Sequence, residues 1–111
     1  MNYRGDVMLV CTTWKARPLT REQANRMMQV WGKLEAIAAE NPSVERLCWY
    51  IFSDASGGVT VSRYTDPDAA AAIELSTTLA LGEFLEFDSR TVLDLETAMP
   101  AILKGLEHIN S

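Results

Sequence analysis

Two carboxylates, Glu86 and Asp88, stand two residues apart in the run Leu85-Glu86-Phe87-Asp88. On an extended strand that spacing puts both side chains on one face, about 7 Å apart. Enclosed in an apolar site, such a pair separates its acidities, and one carboxyl becomes a general base. In water the same pair is a solvated strand end, or ion-pairs with Arg46 or Arg90. Arg46 and Tyr50 lie four apart in another apolar run. A guanidinium fork beside a phenol would hold an anion or a carbonyl oxygen; the alternative for Arg46 is a salt bridge across a protein interface. Glu86, Asp88 and Arg46 are thus the catalytic candidates. Trp14, Tyr50, Ser62 and Tyr64 are the ligand-binding candidates, being aromatic surface with a few hydroxyls. For Trp14, Trp31 and Trp49 the competing role is filling a core or interface.

Other chemistries lack their residues. The one histidine, His108, is the fourth residue from the end of the sequence, where it serves as a cation at a helix C-terminus. A histidine stranded there forms no Ser-His-Asp or Cys-His arrangement, and no Cys/His cluster offers a metal site. No metal or cofactor is expected. Ser56-Gly57-Gly58 lacks the phosphate-loop pattern and leads into a strand, so it reads as a hairpin turn.

These residues need a scaffold, and the apolar segments supply one. A strand over Val7–Trp14 is followed by a helix capped by Thr20, with Gln23 completing a capping box. Ala24, Met27, Met28, Trp31, Leu34 and Ala38 make its apolar stripe, and Asn41-Pro42 ends it. Strands follow at Leu47–Phe52 and Val59–Ser62. Asp66-Pro67-Asp68 opens a second helix, closed by Gly82 as a C′ glycine. A fourth strand lies near Leu85–Phe87, and a last helix runs from Asp94 or Thr97 to His108, with Pro100 in its first turn or at a kink. This is the α+β ferredoxin-like order, βαββαβ plus a C-terminal helix, with an antiparallel four-stranded sheet of spatial order 4-1-3-2. In that order Cys11 and Cys48 lie two strand spacings apart, about 9.6 Å. That exceeds the ~7 Å limit for a disulfide, so both are read as reduced thiols.

The 111 residues, 48% hydrophobic and 23% charged, suit a single domain over 1–111 with a sizeable core. A net charge of −5 argues against nucleic acid or an anionic membrane as partner. No apolar stretch reaches the ~18 residues of a spanning helix, and Met1–Asp6 carries an acid where a leader would be basic. A cytoplasmic protein is the expectation.

The helices cover one sheet face. Placing the more apolar sets beneath them (Leu47, Trp49, Ile51; Val59, Val61; Leu85, Phe87) leaves Arg46, Tyr50, Ser62, Tyr64, Glu86 and Asp88 on the open face. Met8, Val10, Thr12 and Trp14 are assigned there too. Such an aromatic face needs covering, and a homodimer of facing sheets would cover it.

The stretch Val59–Ile102 carries Tyr64-Thr65-Asp66 before an alanine-rich helix, then Phe84-Leu85-Glu86-Phe87 and Thr91-Val92-Leu93-Asp94. It resembles an uncharacterised bacterial family, a domain of unknown function, in the dimeric α/β-barrel superfamily. This chain has a longer first helix and second strand. The resemblance implies the fold and a dimer, and supplies no catalytic residues. Haem-handling members of the superfamily use an internal histidine, which this chain lacks. Three functions follow. The first is a dimeric binding protein holding an apolar or aromatic small molecule between its sheets. The second is a cofactor-free monooxygenase or isomerase, with Glu86 or Asp88 as base and Arg46 or Tyr50 on the oxyanion. The third is a structural or regulatory dimerisation module.

Overall fold

The computed structural model describes residues 8–110. Met1–Asp6 and Val7, the expected start of the first strand, lie outside the described residues. The elements are β1 (Met8–Ala16), α1 (Arg21–Ala39), β2 (Val44–Ile51), β3 (Gly57–Tyr64), α2 (Pro67–Leu81), β4 (Leu85–Val92) and α3 (Leu95–Asn110). The strands form one sheet in the order β2-β3-β1-β4, every neighbour antiparallel. This is the expected ferredoxin-like arrangement with an added C-terminal helix. Cys11 and Cys48 are both free, with β3 between their strands.

Local chemistry sets the helix ends. The Thr20 hydroxyl accepts from the Gln23 amide at 3.1 Å, and the Gln23 side chain accepts from the Thr20 amide at 2.9 Å. Asp66 caps α2 through the Asp68 amide at 3.0 Å, with Pro67 at the first helical position. Gly82 ends α2 in the right-handed region (φ −64°), not in the left-handed one expected of a C′ glycine. Asp94 caps α3 through the Thr97 amide at 2.7 Å. Pro100 therefore sits inside α3 rather than in its first turn, where it removes the bond to the Glu96 carbonyl.

The core is confined to one end of the sheet. Trp14, Leu81, Phe84 and Leu85 are buried together, with Leu19, Met27, Val30 and Trp31 packed against them. Gly58 pairs with Trp14 across β1 and β3. A Cβ on Gly58 would fall 2.4 Å from the Trp14 ring and 2.5 Å from the Tyr50 carbonyl, so glycine there is what lets the indole lie over β3.

The face assignments of β1 and β3 differ from expectation, while those of β4, and of Trp49 and Tyr50 in β2, are as expected. Trp14 packs edge-on against Trp31 of α1, ring centroids 5.5 Å apart. Trp14 therefore lies on the helix-covered face, together with Val10 and Thr12, four and two residues before it. Register carries Thr60, Ser62 and Tyr64 of β3 and Phe87 and Ser89 of β4 to the same side. Cys11, Tyr50, Val59, Val61, Glu86 and Asp88 take the open side. Helix α3 covers neither face: every residue from Met99 to Ile109 is exposed. The radius of gyration is 17.0 Å, against about 13 Å for a compact chain of this length.

Candidate functional site

The site begins with an irregularity in β2. Its pairing with β3 shifts by one residue between Arg46 and Cys48, leaving Leu47 as the extra residue. A bulge of this kind re-aims the side chains on either side of it. Strict alternation would set Arg46 opposite in face to Trp49; here Arg46 pairs with Ser62 and Trp49 with Thr60, on the same face. The Arg46 guanidinium carbon lies 4.4 Å from the Trp49 ring centroid. Its two Nη groups donate to the two Glu35 carboxylate oxygens at 2.8 and 2.5 Å. Glu35 also accepts from Trp31 Nε1 at 3.3 Å, and Trp31 stacks on Trp49 at 5.5 Å and 20°. Arg46 and Glu35 are each about one-third exposed, at 33% and 34%. Solvent therefore weakens the pair's net contribution to stability, while the fork fixes its geometry.

This network closes one side of a cavity of about 180 Å³ between the sheet and the two helices. Thr12, Thr60, Ser62, Tyr64 and Ser89 make its floor, Trp31, Leu34 and Glu35 line it from α1, and Ile73, Glu74, Thr77 and Thr78 from α2. Within the floor the Thr12 and Ser89 hydroxyls are 2.9 Å apart. An apolar protein cavity of about 150 Å³ takes benzene, so a single substituted aromatic ring matches this space.

The acidity of Tyr64 is perturbed. Burial pushes its phenol pKa above the ordinary 10.0 and the Glu74 carboxylate pushes it further, while Arg46 and the Ser62 hydroxyl act in the opposite direction. Tyr64 is thus held protonated as a hydrogen-bond donor at neutral pH. Arg46, Tyr64 and the floor hydroxyls present donors to a substrate oxygen, and Glu74 presents an acceptor.

The structure divides the sequence candidates. Arg46, Ser62 and Tyr64 meet in the cavity. Trp14 is buried in the core beside it. Tyr50 is on the opposite face and 64% exposed, so Arg46 and Tyr50 do not converge. Glu86 and Asp88 are also on that face, ion-paired with Arg17 at 3.1 Å and Arg90 at 3.2 Å. They border an open groove of about 430 Å³ with Thr13, Lys15, Phe52 and Ser56. That groove is larger than the cavity but unenclosed, and its acids already have arginine partners. Sequence reading missed Glu35, Glu74, Thr12, Thr60 and Ser89. The available signal was the alternation of hydroxyls through β3, Thr60-x-Ser62-x-Tyr64, where a purely apolar core strand would carry Val or Ile.

No family model matches the chain, and no curated protein matches it by sequence. Solved structures do match. SnoaB, a cofactor-independent oxygenase from Streptomyces nogalater, superposes with a TM-score of 0.59 at 16% identity, over 79% of this chain and 92% of its own. A candidate antibiotic-biosynthesis monooxygenase from Nitrosomonas europaea gives 0.57 at 12% identity, over 79% and 90%. A Mycobacterium tuberculosis protein gives 0.54 at 15%, over 79% and 96%. The chain shares the ferredoxin-like fold of these structures. At these identities the likeness is one of fold, and function must be argued from the site. Among the described residues no helix is long and apolar enough to cross a membrane.

Proposed function

We propose that this protein is a cofactor-independent oxygenase for a small hydroxylated aromatic, bound between the sheet and helices of one protomer. The observation that carries the reading is the cavity itself, partly open to solvent between sheet and helices. It joins an indole wall at Trp31 to a hydroxyl floor and the donors Arg46 and Tyr64, on a fold shared with a cofactor-independent oxygenase. The favoured cavity thus lies within one chain, in place of the between-sheets cavity expected from sequence.

The chemistry asks little of the protein. An electron-rich hydroxylated ring that loses a proton becomes a carbanion able to reduce O₂. A C–O bond forms at a ring carbon ortho or para to the oxygen, the resulting hydroperoxide loses water, and the phenol O–H and that ring C–H become the two C=O groups of a quinone, with one O₂ consumed and one H₂O released. The substrate is the reductant. The protein's part is to orient the ring, accept the proton at Glu74 and hold the developing oxyanion with Arg46 and Tyr64. Glu86 and Asp88 have no part in this reading.

The test is oxygen uptake by the purified protein with a panel of mono- and bicyclic hydroxylated aromatics, with products read by mass spectrometry. Expected is substrate-dependent uptake that Tyr64→Phe and Arg46→Met each lower by about 10²-fold, the usual loss for an oxyanion donor. Binding of the panel without oxygen uptake would replace the oxygenase by a binding protein.

The same reading includes a homodimer. Its support is the apolar surface left on the open face and along α3, where Leu95, Ile102, Leu103, Leu106 and Ile109 are all about half or more exposed.

A further inference from the structure

The charges facing the cavity are unbalanced. Its lining carries one cation, Arg46, and two carboxylates, Glu35 and Glu74. Arg46 is already engaged, with both Nη groups on Glu35 and its face on Trp49. Glu74 forms no ion pair among the described residues, and its charge is felt at the Tyr64 phenol. An incoming carboxylate would have to share Arg46 with Glu35 and lie beside two like charges. A neutral phenol meets neither cost. Its O–H donates to Glu74 in a charge-assisted bond, and its oxygen accepts from Tyr64 or a floor hydroxyl, groups that both donate and accept.

Resting on the proposed cavity reading, we infer that the site selects uncharged hydroxylated aromatics against aromatic carboxylates, with Glu35 and Glu74 as the residues that set this selection. The size of the effect follows from Coulomb's law. Two like charges about 6 Å apart at an effective dielectric of 20 disfavour binding by roughly a hundredfold. Because Glu74 is exposed to solvent, screening leaves about tenfold.

The experiment is an NMR titration of the full chain at pH 7 with 4-methylphenol and 4-methylbenzoate, which share a ring and a methyl group. The expected result is at least tenfold tighter binding of the phenol. Glu74→Gln should narrow that ratio about tenfold, with the benzoate gaining affinity and the phenol losing it. Glu35→Gln, which frees the Arg46 fork, should improve benzoate binding further. Should Glu35→Gln fail to fold, Glu74→Gln decides alone, since its side chain holds no packing contact in the core. Equal wild-type affinity for the two probes, or a ratio unmoved by Glu74→Gln, overturns the selection while leaving the cavity as a binding site. Absence of binding by either probe at millimolar concentration overturns the cavity reading and this inference with it.

Discussion

Trp14 and Gly58 show how much of this molecule turns on single atoms. Trp14 is 7% exposed and anchors the small core, and the missing Cβ of Gly58 provides the space for its ring. Gly58→Ala should cost about 1–3 kcal/mol by overpacking, read as a lower midpoint in urea denaturation with an unchanged m-value. A loss near zero would mean that the indole moves freely, and the core would be softer than described. Tyr64 gives a second test at this scale. Its pKa is raised, so the fold favours the neutral phenol. The stability this confers is complete below pH 10 and is lost as pH rises through the folded-state pKa. Spectrophotometric titration should show one tyrosine ionising late, above the ordinary value of 10.0. Glu74→Gln should bring that late step closer to the ordinary value, because it removes a charge opposing phenolate.

The order of elements was legible because it depends on local signals: the Thr20 capping box, Asp66-Pro67 and the Asn41-Pro42 stop all act where the sequence places them. The faces of β4 were legible, but those of β1 and β3 and the side taken by Arg46 were not, for two physical reasons. Polarity alternation finds a core only when the covered face is apolar, and here the covered face carries Thr12, Thr60, Ser62 and Ser89 because it floors a cavity. Period-two counting also fails across a bulge, since one extra residue reverses the face of everything beyond it. Leu47 is that residue. Arg46 and Tyr64 were picked out from sequence by residue type, whereas Glu35 and Glu74 on the helices come into view only through packing. The bulge makes a prediction of its own. Deleting Leu47 should restore regular alternation while leaving Arg46 opposite Ser62 and on the face of Trp49, with the β2–β3 hairpin retained. Retained 4-methylphenol binding with a preserved far-ultraviolet circular dichroism spectrum is the expected outcome. Loss of binding with the fold intact would show that the bulge itself, and not only the face Arg46 occupies, shapes the site.

At the scale of the molecule, the question is what covers the surfaces that one chain leaves bare. Helix α3 has 16 residues, at the margin of what persists alone in water, and Pro100 interrupts its hydrogen bonding. Its apolar residues recur at positions 95, 99, 102, 103, 106 and 109, a single helical stripe. The sheet's open face adds Tyr50, Val59 and Val61. Together these supply apolar area on the order of the 800 Å² per partner that a stable interface buries. A twofold dimer uses each such patch twice, so a substitution in α3 is also felt twice. Leu103→Glu should therefore remove the burial of two leucines, about 3–6 kcal/mol in total, and weaken association by two to four orders of magnitude. Sedimentation equilibrium over a range of concentrations measures this directly. The wild type should sediment as a dimer and Leu103→Glu as a monomer at micromolar concentration. Because the cavity lies between the sheet and helices of one chain, the monomeric variant should still bind 4-methylphenol if it stays folded. A wild-type monomer would overturn the dimer while leaving the cavity and its chemistry in place.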